Sequence, residues 1–297
     1  MSTGQMHPGL LPVDDDLVRR LVAGQFPQWA GRAVVRFPSG GTVNAMYRLG
    51  DDMVVRLPLV EGGAKDVALE QEWLPRLAPL LPTAIPEVLG AGQPAEGYPW
   101  QWSVYRWLSG RNPEEGALAE PVQLAEELAA FVAAMRGLDL PGAPAAYRGG
   151  PLASLDVSTR AAIEELRGIP QEGVDCDALT AVWEDALRAP DWDGPPVWLH
   201  ADLMPGNLLV RDGRLTSVID FGCMGVGDPA CDLFPAWNLL PVEARAAFRK
   251  ALDVDDATWR RGRGRTLSQA VIALPYYRTT NPAMANNARH VIRAVTD

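Results

Sequence analysis

An α+β chain of two unequal parts is predicted, and three patterns predict it. Short apolar runs alternate in period two through the first third of the sequence, and apolar residues recur at every third or fourth position through most of the rest. One strand-rich island, residues 197–219, interrupts the helical stretch. The length of 297 residues, with 47% hydrophobic and 22% charged, exceeds what one core usually fills and suits a folded globular protein.

Ala33 to Pro38, Asn44 to Leu49 and Met53 to Leu57 read as strands of an antiparallel meander, punctuated by Ser39-Gly40-Gly41 and Gly50-Asp51-Asp52. From Lys65 the pattern turns helical: Val67, Leu69, Trp73 and Leu74 share a broad face until Pro75 ends or kinks the helix. Glu87 to Gly90 and Trp102 to Leu108 read as two further strands. Residues 1–108 are thus expected to form a sheet with one helix, residues 103–110 to join the two parts, and residues 109–297 to be mainly helical.

In that second part Pro121 suits the first turn of a helix carrying Leu124, Leu128, Phe131, Val132 and Met135, and Gly137 suits its end. Further helices are expected at Ser158 to Arg167, Asp177 to Arg188, Glu243 to Leu252 and Arg265 to Leu274. The island holds three short runs, Val197 to Leu199, Leu208 to Val210 and Leu215 to Ile219, the last two joined by a turn at Asp212-Gly213.

Composition narrows the function. The richest apolar run, Leu124 to Met135, is broken by Glu126 and Glu127, so no membrane span is expected, and a cytoplasmic location fits the N-terminal residues. Three cysteines without a CxxC pair and three scattered histidines speak against structural zinc. A net charge of −10 speaks against nucleic acid as partner and admits a cationic small molecule.

The polar residues of the island bunch in His200-Ala201-Asp202-Leu203-Met204-Pro205-Gly206-Asn207, followed one hairpin later by Ile219-Asp220-Phe221-Gly222. Asp202, Asn207 and Asp220 are oxygen-bearing side chains at strand ends. Asn207 and Asp220 suit magnesium, a hard cation that keeps waters and shares its coordination with substrate phosphates. Asp202 then remains as a base to orient an attacking hydroxyl.

The run H-x-D-x-x-x-x-N, then I-D-F-G, then Gly227-Asp228-Pro229-Ala230 and Asp232-Leu233, resembles the aminoglycoside phosphotransferase family, relatives of choline kinases and protein kinases. The resemblance implies a two-lobed, protein-kinase-like fold and transfer of the γ-phosphate of ATP, or GTP, to the hydroxyl of a small molecule. It implies Asp202 as catalytic base and Asn207 and Asp220 as Mg2+ ligands.

No P-loop occurs, so the phosphates must be held otherwise. The third strand of kinase-like folds carries a basic residue paired with a helix Glu, and here Arg56 stands there, with Glu70 as partner and Glu72 as rival. Gly40, Gly41, Thr42 and Asn44 are candidates for the phosphate-covering turn, and Arg106 and Leu108 for backbone contacts to adenine. An aminoglycoside acceptor is the leading expectation. A metabolic kinase of choline, sugar or homoserine type and a nucleotide-binding pseudokinase are the alternatives.

Overall fold

The acidic tract near the N-terminus opens a helix that the sequence reading missed. A computed structural model describes residues 10–37 and 43–297. Asp14 caps α1, Asp15–Gln25, by accepting from the Leu17 N–H at 2.7 Å, and Val18, Leu21 and Val22 bury its apolar side. The signal was there: a capping Asp followed by Leu-Val at helical spacing.

The chain divides into two units, the first comprising Met1–Gly110 with Ser217–Gly222 and the second Arg111–Thr216 with Cys223–Asp297. In the first, β1 (Val34–Arg36), β2 (Asn44–Leu49) and β3 (Met53–Pro58) form an antiparallel meander with Met46 opposite Arg56. Next come α2 (Glu61–Leu77), β4 (Val88–Gly92) and β5 (Trp102–Arg106). β5 inserts between β3 and β4, so the five-stranded order is β1-β2-β3-β5-β4.

Every residue of β3 is buried. Val55, Leu57, Leu49, Tyr47, Trp102 and Val104 pack there with Val18 and Leu21 of α1. α2 starts four residues before Lys65, and Pro75 lies in its last turn, so few backbone bonds are lost. Its buried residues Val67, Glu70, Trp73, Leu74 and Leu77 follow helical spacing, which places one carboxylate on an apolar stripe.

The second unit holds α3 (Pro121–Arg136), α4 (Asp156–Arg167), α5 (Cys176–Arg188), β6 (Val197–Leu199) and β7 (Leu208–Arg211). They are followed by β8 (Arg214–Val218), β9 (Gly225–Gly227), α6 (Pro235–Asn238), α7 (Val242–Ala251), α8 (Asp256–Tyr277) and α9 (Pro282–Thr296). The last two residues of β8 belong to the first unit. β7 and β8 join through Asp212 and Gly213, whose φ angles of 51° and 78° fit a type I′ turn.

β6 pairs with β9, a three-residue strand too short and too glycine-rich to be read from sequence. α8 packs against α4, α5 and α9 and is twice as long as expected, because its first half hides buried Arg261 and Arg265 in an arginine-rich run. Among the described residues no helix is long and apolar enough to cross a membrane.

Candidate active site

A fully buried strand cannot hold a lone guanidinium, and the surroundings of Arg56 answer that constraint. Its Nη1 donates to both carboxylate oxygens of Glu70 at 2.9 Å, and its Nη2 donates to Asp220 Oδ1 at 3.1 Å. With its amide oxygen turned inward, Asn44 accepts from Arg56 Nε at 3.2 Å and Nη2 at 3.1 Å. Burial opposes the charge on Arg56, but Glu70, then Asp220 and Tyr105, outweigh it and hold its pKa well above the ordinary value.

Glu70 is the hub of this unit. Only 1% exposed, it also accepts from the Phe221 N–H at 2.8 Å and from the Tyr105 hydroxyl. Glu72, the rival, is exposed. α2 is thereby tied to β3, to β5 and to the Asp220-Phe221 segment, and Asp220 takes a left-handed φ of 64°, uncommon for a residue with a side chain. Its carboxylate is 46% exposed, leaving it open to a ligand.

Asp66, one turn before Glu70, was not foreseen. Burial, with Asp220 and Glu70 adding repulsion against the pull of Arg56, pushes its pKa up to about 6. Because the folded value lies above the unfolded value of about 3.9, the protonated form stabilises the fold below that range, and this contribution is lost as pH rises through about 6. The shift corresponds to roughly 3 kcal/mol for an enclosed group, and solvent contact reduces it to about 1 kcal/mol. Urea denaturation of Asp66→Asn without nucleotide should therefore show stabilisation near neutral pH and none near pH 4. Equal effects at both would refute the assignment.

In the second unit the loop after β6 is bound along its length. The His200 and Ala201 N–H groups donate to Asp232 at 2.8 and 2.7 Å, and the Asp202 N–H donates to His200 Nδ1 at 3.2 Å. Asp232 and His200 are both 0% exposed, and burial raises the Asp232 pKa. Asn238 Nδ2 donates to the Leu203 carbonyl at 3.1 Å, and Asn112 Nδ2 to the Gly206 and Leu208 carbonyls at 2.9 Å. These bonds support the left-handed Ala201, φ 64°, that turns the chain into Asp202.

Both Asp202 oxygens are engaged. Asn207 Nδ2 donates to Oδ2 at 2.9 Å and to the Asp202 carbonyl at 2.8 Å. Arg148 Nη1 donates to Oδ1 at 2.7 Å. With Nδ2 spent on Asp202, what Asn207 can offer a cation is its Oδ1.

The structure thus brings Arg56, Glu70, Asn44 and Asp220 together in one unit, and Asp202 and Asn207 together in the other. Gly40, Gly41 and Thr42 lie outside the described residues. β5 ends at Arg106, two residues earlier than expected, and leaves Leu108 half-buried beyond the strand. The Arg106 N–H donates to the Glu87 carbonyl at 3.0 Å, so that donor is spent inside the first unit and not open to adenine. Asp228 and Asp232, which follow the Asp220-Phe221-Gly222 run in sequence, are buried and bonded within the protein: Asp228 binds two arginines and Asp232 holds the loop, whereas Asp253, Asp255 and Asp256 are exposed.

A family profile described as phosphotransferase enzyme family, APH, matches residues 34–265. No curated protein sequence matches the chain. Among solved structures, the GDP and kanamycin complex of APH(2'')-IIia is similar over 94% of this chain and 97% of its own, with 20% identity and a TM-score of 0.75. The gentamicin complex of APH(2'')-IIa is similar over 97% and 99%, with 16% identity and a TM-score of 0.64. Macrolide 2'-phosphotransferase MphH from Brachybacterium faecium is similar over 95% and 98%, with 22% identity and a TM-score of 0.60. These likenesses show a shared kinase-like fold. Since the profile spans both the Arg56–Glu70 pair and the Asp202 loop, the chain belongs to the phosphotransferase enzyme family, APH.

Proposed function

We propose that this enzyme transfers the terminal phosphoryl group of ATP or GTP to a hydroxyl of a small-molecule antibiotic, acting in the cytoplasm where nucleotide is available. The observation that carries the reading is the Asp202 carboxylate, held on both oxygens by Arg148 and Asn207 on a loop bonded from several sides. Structures similar to this chain include complexes with GDP and kanamycin and with streptomycin and ATP, and macrolide 2'-phosphotransferases, which supports a nucleotide donor and an antibiotic acceptor without favouring one antibiotic class.

In the step we propose, the acceptor oxygen bonds to the γ-phosphorus and the bond to the bridging oxygen breaks. The nucleoside diphosphate leaves, and the hydroxyl proton passes to Asp202. Positioning of the hydroxyl supplies most of the acceleration. Arg56, fixed by Glu70, is assigned to the phosphates.

Asn207 Oδ1 and the Asp220 carboxylate are assigned to magnesium. Among the described residues no group of three or more His, Cys, Asp or Glu gathers to hold a metal. By donor chemistry an amide oxygen and a carboxylate oxygen each suit a hard cation that completes its shell with water and phosphate. Magnesium, when bound, neutralises the phosphate oxygens as charge develops.

Incubating the protein with ATP or GTP and a panel of hydroxylated antibiotics and metabolites, with mass spectrometry of the products, tests this. A phosphorylated acceptor is expected. Asp220→Ala should raise the magnesium needed for half-maximal rate by about tenfold or more. Nucleotide binding without any product, and with hydrolysis no faster than in Asp202→Ala, would make the protein a pseudokinase.

A further inference from the structure

Arg148 has no place in the motifs that identify the chain, yet its guanidinium is ion-paired with the proposed base. Besides its 2.7 Å bond to Asp202 Oδ1, Nη1 lies 3.3 Å from the Ala201 carbonyl and 3.4 Å from Cys223 Sγ. The Arg148 and Asp202 side chains are 33% and 22% exposed, so this is not a freely solvated surface pair. The Arg148 charge also reaches Tyr277 at the end of α8, whose phenol is pushed up by burial and by Tyr276 and drawn back by Arg148.

The backbone that carries Arg148 is fixed. Ala146 N–H donates to the Val226 carbonyl at 3.0 Å, Val226 N–H to Pro144 at 2.8 Å, and Tyr147 N–H to Cys223 at 3.2 Å. Arg265, 2% exposed, donates to the Arg148 carbonyl at 2.8 Å and to the Gly150 carbonyl. The segment lies so close to β9 that a Cβ on Gly225 would stand 2.5 Å from the Ala146 nitrogen, and one on Gly227 2.6 Å from the Gly149 Cα. A close approach of this kind requires glycine on β9, and it delivers the guanidinium to one place.

We propose that Arg148 is a positioning and specificity residue that holds Asp202 and, as a fixed positive charge beside it, selects an acceptor with no cationic group next to the reacting hydroxyl. This rests on the phosphotransferase reading above. An unpaired Asp202 would draw an ammonium group toward the base, whereas the Arg148–Asp202 pair carries no net charge. Asp228 and Asp232 do not make up for it, because both are buried, Asp228 paired with Arg261 and Arg265 and Asp232 bonded to the His200 and Ala201 N–H groups. The acceptor class is therefore a neutral or anionic hydroxylated compound, which moves it away from the polycationic aminoglycosides that the sequence resemblance suggests.

Kanamycin is the probe. It is titrated calorimetrically at low salt into the wild type, Arg148→Gln and Arg148→Lys, each loaded with a non-hydrolysable ATP analogue. Arg148→Gln should bind it about tenfold more tightly than the wild type, and Arg148→Lys should stay close to the wild type. Slow nucleotide hydrolysis, with water as acceptor, should show kcat reduced about tenfold in Arg148→Gln and partly restored in Arg148→Lys at unchanged nucleotide Kd.

Equal kanamycin affinity in wild type and Arg148→Gln, or phosphorylation of kanamycin by the wild type, overturns the proposal. If Arg148→Gln does not fold, the wild type alone decides. Kanamycin binding that strengthens as salt is lowered overturns the proposal, and no such binding upholds it. Loss of nucleotide turnover in the wild type itself would instead sink the phosphotransferase reading, and the titration would still report the Arg148 charge.

Discussion

Replacing Asp202 by alanine is expected to lower kcat by about 10²–10⁴-fold while nucleotide Kd changes by no more than about twofold. The asymmetry follows from where its bonds go. Arg56 is bound by Glu70 within the first unit, and among the described residues the Asp202 carboxylate oxygens accept from the Arg148 and Asn207 side chains of its own unit. Removing the carboxylate therefore takes away the group that orients the attacking hydroxyl and leaves the nucleotide's own contacts in place.

Asp202→Asn sharpens the experiment. The amide keeps the size of the side chain but accepts a proton poorly, so its kcat should fall nearly as far as that of the alanine variant. Steady-state rates with an acceptor and equilibrium titration with a fluorescent nucleotide separate the two quantities. A variant whose kcat matches the wild type would remove Asp202 from the chemistry. One whose loss lies wholly in nucleotide Kd would place it among the phosphate contacts.

How much of this site can be read from the sequence depends on whether spacing or tertiary contact places each residue. The Asp202 loop is legible because four residues separate Asp202 from Asn207, and the turn at Asp212-Gly213 sets the return strand. Glu70 could have been preferred to Glu72 on phase alone, since it shares a stripe with Val67, Leu74 and Leu77. A glutamate on such a stripe demands a cation, and Arg56 on a fully buried strand demands an anion.

Arg148 is different. It sits in Tyr147-Arg148-Gly149-Gly150, a stretch with no period, and only the pairing with β9 brings it to Asp202. The insertion of β5 between β3 and β4 is likewise a matter of sheet order that strand patterns do not encode. The first half of α8 escaped because apolar periodicity cannot show a helix whose buried positions include Arg261 and Arg265.

Those two arginines make Asp228 the position where a single substitution should cost the most stability. Asp228 Oδ2 accepts from Arg261 Nε at 3.0 Å and Arg265 Nη2 at 3.2 Å, and Oδ1 accepts from Arg261 Nη2 at 3.1 Å and the Ala230 N–H at 2.9 Å. Both guanidinium groups are 2% exposed. Burial opposes the charge on Asp228, and the arginines and the Ala230 N–H outweigh it, holding its pKa below the ordinary value. Its contribution is thus present above the unfolded value of about 3.9 and lost as pH falls through the lower folded value.

Asp228→Asn leaves two buried cations without a counter-charge, a change that costs about 3–5 kcal/mol and lowers Tm by on the order of 10 °C. The comparison that decides is Asp256→Asn, which breaks the pair with Arg249 at a carboxylate 89% exposed and should cost less than about 1 kcal/mol. Thermal denaturation of both variants near neutral pH reads the difference directly. Similar losses would mean that the Asp228 cluster contributes no more than a surface pair. A loss confined to Asp228→Asn would show that the arginine-rich start of α8 is held in the core by one carboxylate. Because Arg265 also binds the Arg148 carbonyl, the folded fraction of that variant should lose activity as well.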